Sequence, residues 1–139
     1  MPTVHYSFQI NYVYDQDGKL FPRLTFNVSV PENPDRTVVV DTYIDPGSER
    51  SLLDGWIGVA LGLDVLSGSK IGFQTTMGNV LTATMHPVRL SHSELGNFEI
   101  DVGFTSVPIQ RNLLGRDFFN LVQIGFRERH QIFYVSPEP

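Results

Sequence analysis

Cysteine is absent from this 139-residue chain, which excludes disulfides, thiolate nucleophiles and cysteine-type zinc sites. The same absence fits a reducing compartment. No apolar run approaches the roughly 20 residues that cross a bilayer. The segment Met1-Pro2-Thr3-Val4-His5 has neither the basic start nor the apolar stretch of a secretory signal. The expectation is a cytoplasmic location with no membrane partner. Positive charge is also scarce: ten Lys and Arg face fifteen Asp and Glu, for a formal charge of −5. Nucleic-acid binding needs a concentrated basic face, so no nucleic-acid partner is expected. The densest basic stretch, Arg127-Glu128-Arg129-His130, is interrupted by an acid and flanked by apolar segments, which is the pattern of a solvated turn. His5, His86, His92 and His130 lie far apart with no pair spaced for one helix face. No metal site and no cofactor is expected.

What the chain does contain is enough apolar residue for one core. With 41% hydrophobic and 12% aromatic residues it reads as a single globular domain over 1–139. The dominant period is two. Leu24, Phe26, Val28 and Val30 alternate with Thr25, Asn27 and Ser29, and Phe98, Ile100, Val102 and Phe104 alternate with Glu99, Asp101 and Gly103. Both segments read as half-buried antiparallel strands. Tyr6 to Tyr14 is an aromatic-rich strand that the turn Asp15-Gln16-Asp17-Gly18 would pair with Phe21 to Val30, giving an amino-terminal hairpin over 4–30. Tyr12, Tyr14, Phe21 and Phe26 would form its aromatic core. Pro31 to Asp35 would end that strand and Thr37 to Asp45 begin the next. Helix is confined to 54–63, with Ser51 or Asp54 as its cap, and to 116–122, where Asp117 favours the helix dipole. Gly58 and Gly62 read as close packing of the first helix on a sheet. Ile124 to Phe126 and Gln131 to Val135 close the chain as a hairpin. The fold class is mainly β.

Two segments carry chemistry. Tyr43-Ile44-Asp45-Pro46-Gly47-Ser48 is a β-branched strand running into a turn, and Asn112-Leu113-Leu114-Gly115-Arg116-Asp117 is an apolar strand, a glycine and a helix start. An aspartate at a strand end followed by a glycine turn projects its carboxylate from a fixed backbone position. The glycine lets backbone amides approach that carboxylate. Ser48 could add a hydroxyl to the same group. Asp-Pro-Gly-Ser alone is also an ordinary surface turn. The sheet-interior character of Thr37 to Ile44 and the following Leu52-Leu53 favour the buried-strand reading. Other nucleophile arrangements are missing, because no Gly-x-Ser-x-Gly elbow exists and Asp41-Thr42 is followed by Tyr43 in place of a glycine.

Together the two segments resemble the signatures of the retropepsin-like aspartic proteases, in the style of their prokaryotic single-domain members. The resemblance spans roughly residues 22–135. It implies a closed, curved β-sheet monomer with a catalytic loop over 37–63, a flap hairpin over 71–90 and a second half over 95–135. Leu113, Leu114 and Gly115 would thread behind the loop that bears Asp45. Met77, Gly78 and Asn79 would form the tip of the flap, which closes over an extended peptide or protein substrate. Each subunit of a homodimer would supply one catalytic Asp45, supported by Pro46, Gly47 and Ser48 in the active-site loop. Glu49 and Arg116 would pair to brace it.

Pro46 departs from the pattern. The family that the chain resembles has Thr or Ser here, whose hydroxyl and amide lock the two aspartate loops together, and proline offers neither. Two readings therefore stand: an aspartic endopeptidase, and a catalytically silent dimerisation or peptide-binding module on the same scaffold.

Overall fold

The computed structural model describes residues 3–74 and 77–138. Three short strands open it, β1 (Phe8–Asn11), β2 (Val13–Tyr14) and β3 (Leu20–Phe21), followed by β4 (Arg23–Val30) and β5 (Asn33–Ile44). In β4 the side chains of Leu24, Phe26 and Val28 are buried while Thr25 and Asn27 are exposed, the period-two pattern read from the sequence. β5 returns antiparallel, with Val40 opposite Phe26 and Tyr43 opposite Arg23. Then come β6 (Leu52–Leu53), α1 (Gly55–Ala60), β7 (Ser69–Gln74), β8 (Val80–His92) and β9 (Gly96–Thr105). β10 (Asn112–Leu114), α2 (Arg116–Phe119) and β11 (Val122–Arg127) follow, and after one 3-10 turn at Glu128–His130 the chain ends in β12 (Ile132–Pro137).

Seven strands share one sheet in the order β4-β5-β10-β6-β9-β8-β7, and β4 also pairs with β8, placing Val28 opposite Leu90. That second pairing closes six strands into a curved ring and leaves β7 outside, on the far half of β8. Closure leaves no edge strand among these six and encloses the core, while β7 keeps a free edge. Phe26, Phe98 and Phe118 meet edge to face there, with ring centroids 5.3 to 6.3 Å apart. Val88, Leu90, Phe104 and Leu114 are fully removed from water around them.

The ring contains an exchange between two similar units. β5 leads through a loop to β6 and α1, and β9 leads through a loop to β10 and α2. Each short strand lies parallel to the long strand of the other unit. Leu114 of β10 sits beside Ile44 of β5, and Leu53 of β6 sits beside Phe104 of β9. The segment Leu113-Leu114 thus threads between the Asp45-bearing strand and β6, as the sequence resemblance implied.

Several sequence expectations give way to the packing. Residues 6–14 do not form one strand paired with 21–30. Only Val13–Tyr14 pairs with Leu20–Phe21, because Pro22 has no N–H to continue the ladder. Phe8–Asn11 instead adds to β12, with Phe8 opposite Val135, and buries its apolar face there. The four aromatic residues consequently separate. Tyr12 packs on Phe133, Phe21 on Tyr43 and Phe26 in the ring core, while Tyr14 is exposed.

The break expected over 31–35 shrinks to Pro31–Glu32, since β5 already begins at Asn33 and tolerates Pro34 on its exposed stretch. α1 is shorter than 54–63: it is capped by Asp54, whose carboxylate accepts from the Trp56 amide at 3.1 Å, and it closes at Leu61. Ser51 has another role, described below. α2 stops at Phe119, and Val122 is drawn into β11 opposite Pro137. The tight approach expected at Gly58 is present, since a β-carbon there would meet the Val65 side chain at 2.7 Å.

Candidate active site

Asp45 stands one residue beyond β5, half-buried, with its backbone N–H bonded to the Leu114 carbonyl at 2.9 Å. This bond fixes the aspartate against the threading strand. The Gly47 amide donates to Asp45 Oδ1 at 2.9 Å, the close amide approach expected of the glycine turn. The Ser48 amide donates to the Asp45 carbonyl at 3.2 Å. Among the described residues no other side-chain or backbone donor engages the carboxylate, so Oδ2 is open to whatever faces the turn. Pro46 and Gly47 are exposed beside it.

The expected bracing is built differently. The Ser48 hydroxyl does not reach Asp45; it donates to the Arg50 carbonyl at 2.7 Å. Glu49 and Arg116 do not pair either: both are exposed, and among the described residues no ion pair joins them. The residues that sequence reasoning missed are Ser51 and Asp117. Ser51 is fully buried, its amide and hydroxyl both donate to the Asp117 carboxylate, at 2.9 and 2.6 Å, and its oxygen accepts the Gly115 amide at 3.0 Å. The Arg116 amide adds a bond to the Ser48 carbonyl at 2.8 Å.

Gly115 is required by this arrangement. A β-carbon there would lie 2.5 Å from the Ser48 carbonyl oxygen and 2.8 Å from that of Arg50. The signal for the tie was present in the sequence as a serine directly preceding two buried leucines, a polar group that must find a partner. Shortening the brace from Glu49 to Ser51 puts it inside the protein, where a carboxylate bonded to an amide and a hydroxyl is worth more than a solvent-exposed ion pair.

A reciprocal tie joins the other side. Asp54, the cap of α1, also accepts the Ile109 amide at 2.9 Å, and its own amide donates to Asn112 at 2.9 Å. Each short helix therefore hands a carboxylate to the loop of the opposite unit.

β7 and β8 form the expected hairpin, paired from Ser69 with Met85 to Gln74 with Val80 and extending to His92. Met77, Gly78 and Asn79 are exposed at its tip, with Gly78 left-handed at φ +83. Thr75 and Thr76 of that tip lie outside the described residues. Next to Asp45 on the outward face of β5, Tyr43 lines a polar recess of about 360 Å³ that also includes Arg23, Asp41 and Arg111. Asp15 closes one side of it. The Lys19 amide, and in lesser part the Asp17 amide and the Arg111 guanidinium, hold the Asp15 carboxyl below the usual carboxylate range against the opposing effect of burial.

Among the described residues no cluster of three potential metal ligands occurs, and no helix is long and apolar enough to cross a membrane.

No protein-family model and no curated protein matches the sequence. Solved structures do. A retropepsin-like aspartic protease from Rickettsia conorii superposes with a TM-score of 0.64 at 14% identity, covering 98% of this chain and 100% of that one. EIAV protease, in complex with the inhibitor HBY-793, superposes with a TM-score of 0.53 at 18% identity over 78% of this chain and 92% of its own. The closed ring, the threaded Leu113-Leu114 strand and these superpositions together establish that the chain has the retropepsin-like aspartic protease fold.

Proposed function

We propose that the protein is an aspartic endopeptidase that works as a homodimer, with one Asp45 from each subunit. The observation that carries this reading is the asymmetry of the two units. Aligning Leu53 with Leu114 through their parallel partners sets Thr105 in the place of Asp45. Thr105 is buried, and its hydroxyl donates to the Val107 carbonyl at 2.7 Å. One chain thus offers one carboxylate at this position, and a second must come from another copy.

Two carboxylates in contact cannot both ionise, so the pair holds one proton between them. The ionised partner takes a proton from water as that water attacks the peptide carbonyl, and the protonated partner donates to the carbonyl oxygen. Gly47 steadies Asp45 through its amide. The tip at Met77, Gly78 and Asn79 closes over an extended peptide, which adds along strand edges beside the Asp45 loop. Leu113, Leu114, Gly115 and Arg116 hold the loop from behind.

A second reading has specific support in Pro46, which cannot donate across a two-fold axis. On that reading the chain is a silent dimerisation or peptide-binding module. Cleavage of a peptide mixture by the wild-type chain and by Asp45→Asn separates the two. Activity in the wild type that vanishes in Asp45→Asn supports the peptidase. Equal cleavage in both contradicts it, and peptide binding without cleavage in either supports the module.

A further inference from the structure

We propose that the recess beside Asp45 is a specificity pocket for an acidic side chain of the peptide; this deepens the peptidase reading and rests on it for its connection to cleavage. Tyr43 is on β5 and the Asp45 N–H continues that strand's pairing through the Leu114 carbonyl, so the two side chains share a face at about 6–7 Å spacing. A peptide drawn along that face past Asp45 lays the side chain next to its scissile bond over Tyr43.

Two guanidinium groups stand over the Tyr43 ring, Arg111 at 4.9 Å and Arg23 at 5.6 Å from its centroid, and Arg111 also covers Phe21 at 4.3 Å. Both are held in place. Arg111 bonds Asp15 Oδ2 at 3.2 Å, and Arg23 bonds the Tyr14 carbonyl at 3.2 Å.

The balance of donors and acceptors selects the ligand. Asp15 is fully engaged, with Oδ1 accepting the Asp17 and Lys19 amides and Oδ2 accepting Arg111. Asp41 accepts the Thr25 hydroxyl on its carboxylate and Asn112 on its carbonyl, and Asp17, the third acid of the lining, is exposed to solvent. The arginines are the opposite case. Each guanidinium carries five N–H groups and makes one hydrogen bond among the described residues. Arg23 Nε is the one buried side-chain polar atom without a partner among the described residues. That atom has no exposed surface, so a ligand carboxylate in the recess would accept from the terminal N–H groups of Arg23 and from Arg111. Planar guanidinium donors pre-oriented on an aromatic ring suit a carboxylate better than an amide.

The test uses the full chain labelled with 15N and three blocked residues, the N-acetyl N-methylamides of Glu, Gln and Leu. The Glu compound is expected to move the Arg23 and Arg111 Nε–H resonances, the Leu compound to leave them in place, and Arg111→Gln to remove the response. Equal responses to Glu and Gln, to Glu and Leu, or no response to Glu, overturn the proposal. In parallel, a peptide library is digested and the residues flanking each cut are counted. Glu and Asp should be enriched at one flanking position. Arg111→Gln should lower kcat/KM for Glu-containing peptides about tenfold relative to Leu-containing ones. Cleavage with apolar preference on both sides contradicts the pocket while leaving the peptidase standing. Absence of all cleavage contradicts the peptidase instead, and the resonance titration still decides the pocket.

Discussion

The two strand-loop-helix units have the same construction and different chemistry. In the first, the position after the long strand is Asp45, half-exposed, with one carboxylate oxygen held by the Gly47 amide and the other open. In the second, the matched position is Thr105, buried and bonded within its own loop. The helices differ in a compensating way. α1 has a side-chain cap in Asp54, while α2 begins at Gly115 without one and sends Asp117 across to Ser51. The lesson is that the second unit serves as a clamp. Its strand, its glycine and its first-turn carboxylate all converge on the loop that bears Asp45.

The comparison breaks most visibly at its chemical difference. Asp45→Asn should cut peptidase activity by on the order of 10³-fold or more, with the far-ultraviolet circular dichroism unchanged. Thr105→Asp should not restore it, because that site faces the interior. Next in size is the clamp. Asp117→Ala strands the Ser51 amide and hydroxyl donors and should cost about 1–3 kcal/mol in a urea melt. Asp54→Ala should cost a similar amount, but Asp117→Ala should lose more activity because it frees the Asp45 loop. Equal activity loss in the two variants would remove the distinction between clamp and clamped unit.

Pro46→Thr gives a smaller effect of opposite sign. Restoring one N–H and one hydroxyl per subunit should tighten the dimer on the order of tenfold, measured by analytical ultracentrifugation, and raise activity. A weaker dimer would mean that the loop is braced in some other manner.

The smallest effect concerns the turn between β8 and β9. His92 lies against Phe26, and its Nδ1 accepts the Glu94 and Leu95 amides at 3.1 and 3.2 Å. Burial lowers its proton affinity below the ordinary value of 6.5, partly opposed by Glu94. The unfolded chain therefore binds the proton more readily than the folded one. This contribution is present above pH ~6.5 and is lost as the pH falls below it. Urea midpoints for wild type and His92→Gln should show a shallower acid decline in the variant.

Much of this was legible in the sequence. Period-two alternation marked β4 and β9, and the Asp-x-Gly turn with the Leu-Leu-Gly segment marked the loop and the strand behind it. What escaped were pairings decided by distant partners. Phe8–Asn11 joined β12 because the carboxy-terminal strand offers an edge about 125 residues away, and no local pattern encodes that choice. Glu49 and Arg116 looked like a pair by position, yet both point to water while Ser51 and Asp117 bond inside. Side-chain length and burial decided the partner, and a one-dimensional spacing carries neither. The Tyr43 recess was invisible for the same reason, since its arginines come from β4 and from the loop before β10.

On the proposed mechanism each active site takes one Asp45 from each of two chains. Wild-type and Asp45→Asn subunits, mixed in varying ratio at fixed total concentration and allowed to exchange, test it most directly. Only dimers with two wild-type subunits should cleave, so activity should follow the square of the wild-type fraction, with about one quarter remaining at an equal mixture. A linear decline, with half the activity remaining at that point, would contradict the account.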